Sequence, residues 1–286
     1  MQSKAAGWGS GFIGMLIFSG SLPATRVAVD AFSPMFLTSA RAVIAALVGT
    51  ALLLVLRQTR PARGDLWSLL LVSVGVVIGF PLLTALALQH VTAAHSVVFI
   101  GLLPLSTAIF GVIRGGERPK PLFWLFSCIG SLLVAGFALF QSEGASVTGD
   151  LFMVAAIVLC GLGYAEGATL SRRLGGWQVI SWALLLSLPM MGLLTLWTWP
   201  ETLTGIGAPA WTGFAYVSLF SMLIGFVFWY RGLAIGGIAG VGQLQLLQPF
   251  FSLVLAALLL GEAVPASMIA VTVLVACCVA GAKRYV

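Results

Sequence analysis

Two stretches decide the fold: LQPFFSLVLAALLLGE at residues 247–262 and LLPLSTAIFGVIRGGE at residues 102–117. Each is an apolar, helix-like run in which a proline precedes the glutamate of a Gly-Glu pair by thirteen residues: Pro104 with Gly116-Glu117, and Pro249 with Gly261-Glu262. The offset between the two is 145 residues, half of a 286-residue chain, and Leu88 and Leu233 keep the same offset. A period this long predicts two related halves, residues 1–145 and 146–286. Apolar runs of about twenty residues recur along both, each long enough to cross roughly 30 Å of hydrocarbon. Ten are placed, at roughly 7–28, 34–56, 66–87, 93–113, 121–140, 149–171, 177–198, 209–231, 239–260 and 266–283, with ends good to a few residues. Five crossings per half is an odd number, so the second half enters the bilayer from the opposite side. The expected fold is all-α and integral to the membrane, two inverted five-helix repeats around a central cavity. Secondary transporters use this plan.

Composition supports the membrane reading. Hydrophobic residues make up 60% of the chain and charged residues 8%, with a mean hydropathy of +1.11, too little charge to clothe a soluble surface. Little sequence remains outside the apolar runs, so no soluble domain and no nucleotide-binding loop is expected. The first segment carries Pro23 and Arg26 and lacks a small-residue cleavage site after a basic start, so it reads as part of the mature protein. Cys128, Cys160, Cys277 and Cys278 all fall in apolar segments and read as packing residues, not as a disulfide or metal site.

The net charge of +6 would suggest nucleic acid in a soluble protein, but its placement makes it a topology signal. Lys4, Arg57, Arg60, Arg63, Arg114, Arg118, Lys120, Arg172, Arg173, Arg231, Lys283 and Arg284 cluster in alternate connections. The intervening ones hold Asp30, Glu143, Asp150, Glu201 and Glu262 instead. The positive-inside rule then predicts both termini in the cytoplasm. Two basic residues, Arg26 and Arg41, fall inside apolar segments.

Gln245, Gln248 and Ser252, spaced i, i+3, i+7, share one face of the ninth segment, with Gln243 offset from it. Amides facing lipid are costly, so this face points either to another helix or to a water-filled cavity. Pro249 favours the cavity, because it interrupts the helix and frees a carbonyl; Pro104 is the matching kink in the fourth segment. At the 145-residue offset the fourth segment presents Ile100, Leu103 and Thr107, beside His95 and Phe99. His95 is open to a structural role or to gating and substrate contact. Phe80 beside Pro81, Leu83, Tyr164 and the pair Phe228-Trp229 lie deeper than the Trp residues at segment ends; each is open to core packing or to substrate contact. Tyr164 is the stronger site candidate, because its hydroxyl needs a partner in mid-membrane. Arg26 shares a face with Ser19, Leu22 and Pro23 and precedes Asp30 by one turn. It either snorkels outward or guides a substrate carboxylate. Glu166 either pairs with Arg172 and Arg173 or lines the cavity, where it can hold an ammonium or a proton. The Gly-Glu corners read as structural, each glutamate lying shortly before a proline (Pro119, Pro265). Gly7/Gly11, Gly163/Gly167, Gly232/Gly236 and Gly236/Gly240 allow close helix packing and require no oligomer.

Trp229-Tyr230-Arg231-Gly232-Leu233, Leu247-Gln248-Pro249 and Leu260-Gly261-Glu262, echoed by Ala87-Leu88, Leu103-Pro104 and Gly116-Glu117, carry a resemblance over nearly the whole chain. The chain resembles the EamA-type members of the drug/metabolite transporter superfamily, and its aromatic-rich helices look most like the YddG-type amino-acid exporters of bacterial inner membranes. The resemblance implies export of amino acids, aromatic or large and apolar, or of related metabolites, through a cavity bounded by segments 1, 3, 4, 6, 8 and 9. The alternative is a multidrug or cationic-compound exporter of the same superfamily. Small multidrug members rely on a glutamate in the first helix, which is absent here. A lipid-modifying membrane enzyme would need clustered His, Asp or Glu, and His90 and His95 have no acidic neighbour. The expected partners are a small-molecule substrate and the lipid bilayer, with no nucleic acid, cofactor or metal.

Overall fold

The computed structural model describes residues 3–87, 89–91, 99–139, 146–260 and 266–286. Regular structure among them is helical throughout. The helices are α1 Lys4–Val29, α2 Pro34–Val55 and α3 Asp65–Ala87. There follow α4 Leu103–Gly115, α5 Pro121–Leu139, α6 Val147–Leu174 and α7 Gly176–Trp197. The chain continues through α8 Ala208–Gly236, α9 Ile238–Leu259 and α10 Ala266–Lys283. Among the described residues, α1, α2, α3, α6, α7, α8 and α9 are long and apolar enough to cross a membrane, seven where ten were expected; the apolar stretches of α4, α5 and α10 are shorter. Trp197 and Leu54, 86% and 72% exposed, show what the outer faces are made of: large apolar side chains that suit lipid and not water.

Local chemistry explains the helix ends. Ser33 caps α2, its hydroxyl accepting from the Phe36 N–H at 3.3 Å, with Pro34 in the first turn where no N–H is needed. Gly116, at φ +67°, ends α4 in the left-handed conformation that favours glycine.

The packing obeys a simple exchange rule. The contacts of α1 with α8, and of α4 with α6, reappear as those of α6 with α3 and α9 with α1 when each helix is replaced by the one five places on. The pairs α2–α7, α4–α9 and α5–α10 map onto themselves. Backbone irregularities follow the same offset. A π-helical stretch in α3 ends at Gly79 and one in α8 ends at Ile224, 145 residues later. Helical stretches begin at Leu103 and at Gln248, again 145 apart. Close approach is made by small residues: Gly7 and Gly11 of α1 meet Gly236 and Gly232 of α8, and Gly163 of α6 meets Gly75 of α3. These glycine pairs are consumed inside one chain.

The two prolines do not kink α-helical interiors. Each is the second residue of its helical stretch, preceded by a tighter turn: Gln243–Leu247 is 3-10 helix, and the Leu102 N–H donates to the Phe99 carbonyl at 2.8 Å. The Gln245 carbonyl expected to be freed by Pro249 accepts instead from the Gln248 N–H. A 3-10 turn pairs each carbonyl one residue sooner than an α-helix does, which satisfies the group that proline leaves without its donor.

Candidate functional site

Phe226, Trp229 and Tyr230 are spaced i, i+3, i+4 on α8 and share one face. That face meets Tyr164 of α6 and Phe18 of α1 in a buried aromatic cluster. The Tyr164 ring lies 5.6 Å from Trp229, edge to face, and 6.1 Å from Phe226. Phe18 lies 5.0 Å from Phe226 and 6.1 Å from Trp229, and Phe226 lies 5.4 Å from Tyr230. The Tyr230 hydroxyl donates to the Gly163 carbonyl at 3.3 Å, which fixes that ring against the glycines of α6.

Polar atoms border these rings without partners of their own. The Tyr164 hydroxyl faces Cys160 and Gln245. Trp229 Nε1, Gln245 Oε1 and Gln243 Oε1 are sealed from solvent and have no hydrogen-bond partner among the described residues. A buried polar atom left this way costs about 1–3 kcal/mol, and two of the three, on Trp229 and Gln245, belong to residues that meet Tyr164. The rings are buried against one another.

The candidates fall into groups. Ser19, Tyr164, Trp229 and Gln245 belong to the centre. The Ser19 hydroxyl donates to the Met15 carbonyl at 2.9 Å and approaches the Gln248 carbonyl at 3.4 Å. The Ser19 carbonyl accepts from Ser252 at 2.8 Å, so this residue ties α1 to the break in α9. Gln248 is half-buried, and the change of pitch at 243–247 splits the polar stripe expected through Gln245, Gln248 and Ser252. Phe80 and Phe99 are half-buried and pack on the main core, Phe99 also reaching a second cluster. Ile100 belongs to that second cluster, with Ala87, Val91 and Met153 near the end of α3, and so stands apart from Gln245. Leu83 and Phe228 are half-buried; the Phe228 carbonyl accepts from Ser10 at 2.8 Å. His95 lies outside the described residues, as do Leu88, Gly261, Glu262 and Pro265. Sequence reasoning passed over Phe18, Phe226 and Tyr230, although the i, i+3, i+4 spacing around Trp229 was there to be read.

The charges correct the expected pairings. Glu166, its side chain 4% exposed, pairs with Arg114 of α4, not with Arg172 or Arg173. Those arginines lie six and seven residues along α6, about 9–10 Å of rise from Glu166 and too far for an ion pair. Arg173 pairs with Asp65 of α3, and Arg172 with Glu117 at 3.4 Å. The Glu117 carboxylate also accepts from the N–H groups of Ile238 and Ala239, at 2.6 and 2.7 Å, capping the start of α9 from the other half of the chain. Gln178 donates to Gln58 at 3.2 Å and the Lys120 N–H to the Tyr285 carbonyl at 2.9 Å. All these ties lie at the end of the bundle rich in Lys and Arg. Arg26 is exposed in the last turn of the first helix. Among the described residues no three of His, Cys, Asp and Glu are grouped to hold a metal.

Comparison with known proteins fits this architecture. Residues 6–139 and 147–282 each match the model of the EamA-like transporter family. The chain is 66% identical, over 285 residues, to the uncharacterized transporter YdeK of Bacillus subtilis (strain 168), covering 100% of this chain and 99% of that one. A protein solved by crystallography superposes with a TM-score of 0.80 over 99% of both chains at 22% identity, a likeness of fold alone. A multi-pass membrane protein with two such matches, the chain belongs to the EamA-like transporter family.

Proposed function

We propose that the protein is a secondary transporter that exports amino acids, aromatic or large and apolar, or related small metabolites. It works by alternating access between inverted five-helix halves, residues 1–145 and 146–286, in ten crossings of the inner (plasma) membrane. Both termini and the Lys/Arg-rich end lie in the cytoplasm. The observation that carries the reading is the buried meeting of Tyr164, Trp229 and Gln245, apolar rings beside polar atoms that the protein leaves unpaired. An amino acid with a large side chain offers both chemistries at once: a ring to stack, and polar groups for an amide oxygen and an indole N–H to pair with. Support for alternating access comes from the exchange rule in the packing, the breaks repeated in α3 and α8, and the ion pairs gathered at one end. Discontinuous helices at a repeat interface are where secondary transporters place their sites. The YddG-type exporters remain the subfamily this chemistry most resembles.

The same aromatic cluster supports a second reading, a multidrug exporter, because ring faces also attract organic cations. Liposomes carrying the purified protein separate the two. Saturable entry of radiolabelled phenylalanine or tryptophan, reduced in Gln245→Ala, is the expected result. Movement of cationic dyes alone would replace the amino-acid reading with the multidrug one.

A further inference from the structure

Arg41 is a cation that nothing above employs. It lies seven residues into α2, inside a membrane-crossing helix. One turn to either side, Leu37, Thr38 and Ala45 are buried and Ile44 is half-buried, so the side chain leaves the helix among protein and not among lipid. Leu37 and Ile44 pack with Phe214 and Val217 of α8, and Ala42 and Ala45 join the main core. Arg41 keeps partial accessibility, while its Nε is sealed and has no hydrogen-bond partner among the described residues. The other buried ionic groups are balanced: Glu166 by Arg114 and Asp65 by Arg173. Among the described residues no carboxylate balances Arg41. The last stretch of α3, Phe80–Ala87, packs against α2 and holds Thr84, whose sealed hydroxyl also lacks a partner among the described residues.

A lone guanidinium at this depth is held at a cost unless an anion arrives to neutralise it. Its planar fork of donors matches a carboxylate, which it can take in two parallel hydrogen bonds. We propose that Arg41 is an oxyanion subsite, and that the anion it takes is the carboxylate of the transported solute. The word "transported" rests on the function proposed above; the anion subsite itself does not. A lipid phosphate offers the same oxyanion chemistry, and the test separates the two sources.

In purified wild-type protein, 3-phenylpropionate should raise the unfolding temperature by a few degrees, while 3-phenylpropionamide, the same shape without the charge, should not. Arg41→Gln should abolish the shift and Arg41→Lys retain part of it. No carboxylate-dependent shift, or the same shift in Arg41→Gln, overturns the subsite. A shift with phosphatidylglycerol that depends on Arg41, with none from 3-phenylpropionate, assigns the cation to lipid and overturns the solute. In liposomes, Arg41→Gln should raise the KM for phenylalanine at least about tenfold and leave phenethylamine unaffected. Equal losses for both overturn the carboxylate role. Should wild-type protein move neither compound while the Arg41-dependent shift persists, the amino-acid reading falls and the anion subsite stands.

Discussion

The breaks in α3 and α8 end at equivalent residues, Gly79 and Ile224, and the helical stretches of α4 and α9 start at equivalent residues, Leu103 and Gln248. The side chains around these shared backbone features differ. In and just after its break α9 carries Gln245 and Gln248, where the first half carries Ile100 and Leu103. Ser19 of α1 stands where Tyr164 stands in α6. The comparison teaches that the repeat governs backbone geometry while each half supplies its own chemistry. A site between the halves is thereby lopsided, with polar atoms on one side and apolar surface on the other.

The equivalence of the interfaces is the part most easily broken. A Cβ on Gly14 would lie 2.9 Å from the Trp229 backbone nitrogen, and one on Gly163 would lie 2.9 Å from Val76 Cγ1. Gly14→Leu and Gly163→Leu should each lose about 3 kcal/mol or more by overpacking, and leave little monodisperse protein in size-exclusion chromatography of membrane extracts. If one is tolerated and the other is not, the interfaces are equivalent in sequence position only.

Next in size is Arg114→Ala, which leaves Glu166 buried without its partner and should destabilise by about 3 kcal/mol. Glu166→Gln, which removes the charge as well, should cost far less, and thermal unfolding in detergent reads the difference. Equal losses would mean that the pair matters by shape and not by charge.

The lopsided site predicts unequal partners at the 145-residue offset. Gln245→Ala should cut amino-acid uptake about tenfold or more while folded protein remains, whereas Ile100→Ala, packed in the separate cluster near the end of α3, should change uptake less than about twofold. Equal effects would argue for a symmetric site. Glu117→Ala removes a cap that joins the halves and should cost about 0.5–2 kcal/mol, with Arg172→Ala, exposed as it is, within about 1 kcal/mol of wild type. Unfolding midpoints of the two variants, measured side by side, rank them.

Much of the fold was legible. Segments expected at 177–198 and 149–171 appear as Gly176–Trp197 and Val147–Leu174, because a run of apolar residues bounded by glycine, serine and proline is local information. Tyr164 and Trp229 were legible as deep aromatics, because tyrosine and tryptophan in mid-segment stand out against aliphatic neighbours. The partners of Glu166 were not. It looked toward arginines a few residues away along the chain, yet its own is 52 residues back, on a helix that packing brings alongside. The polar stripe of α9 failed for a related reason. Three residues share a face only while the pitch holds, and the pitch changes at Gln243–Leu247.

The amino-acid sequence by itself determined that this chain lives in a membrane, where its apolar segments lie, and that its halves share a 145-residue register. Those are properties of composition and of translation along the chain, and they need no knowledge of what touches what. Tertiary structure alone decided which face of each helix is inward, that Glu117 caps α9 from across the molecule, and that the rings of Phe18, Phe226 and Tyr230 close around Tyr164 and Trp229. It also decided that Arg41 leaves its helix among protein, with no carboxylate beside it among the described residues. Contacts of this kind depend on the crossing of helices far apart in sequence and on local changes of pitch, and neither is written in any short stretch of residues.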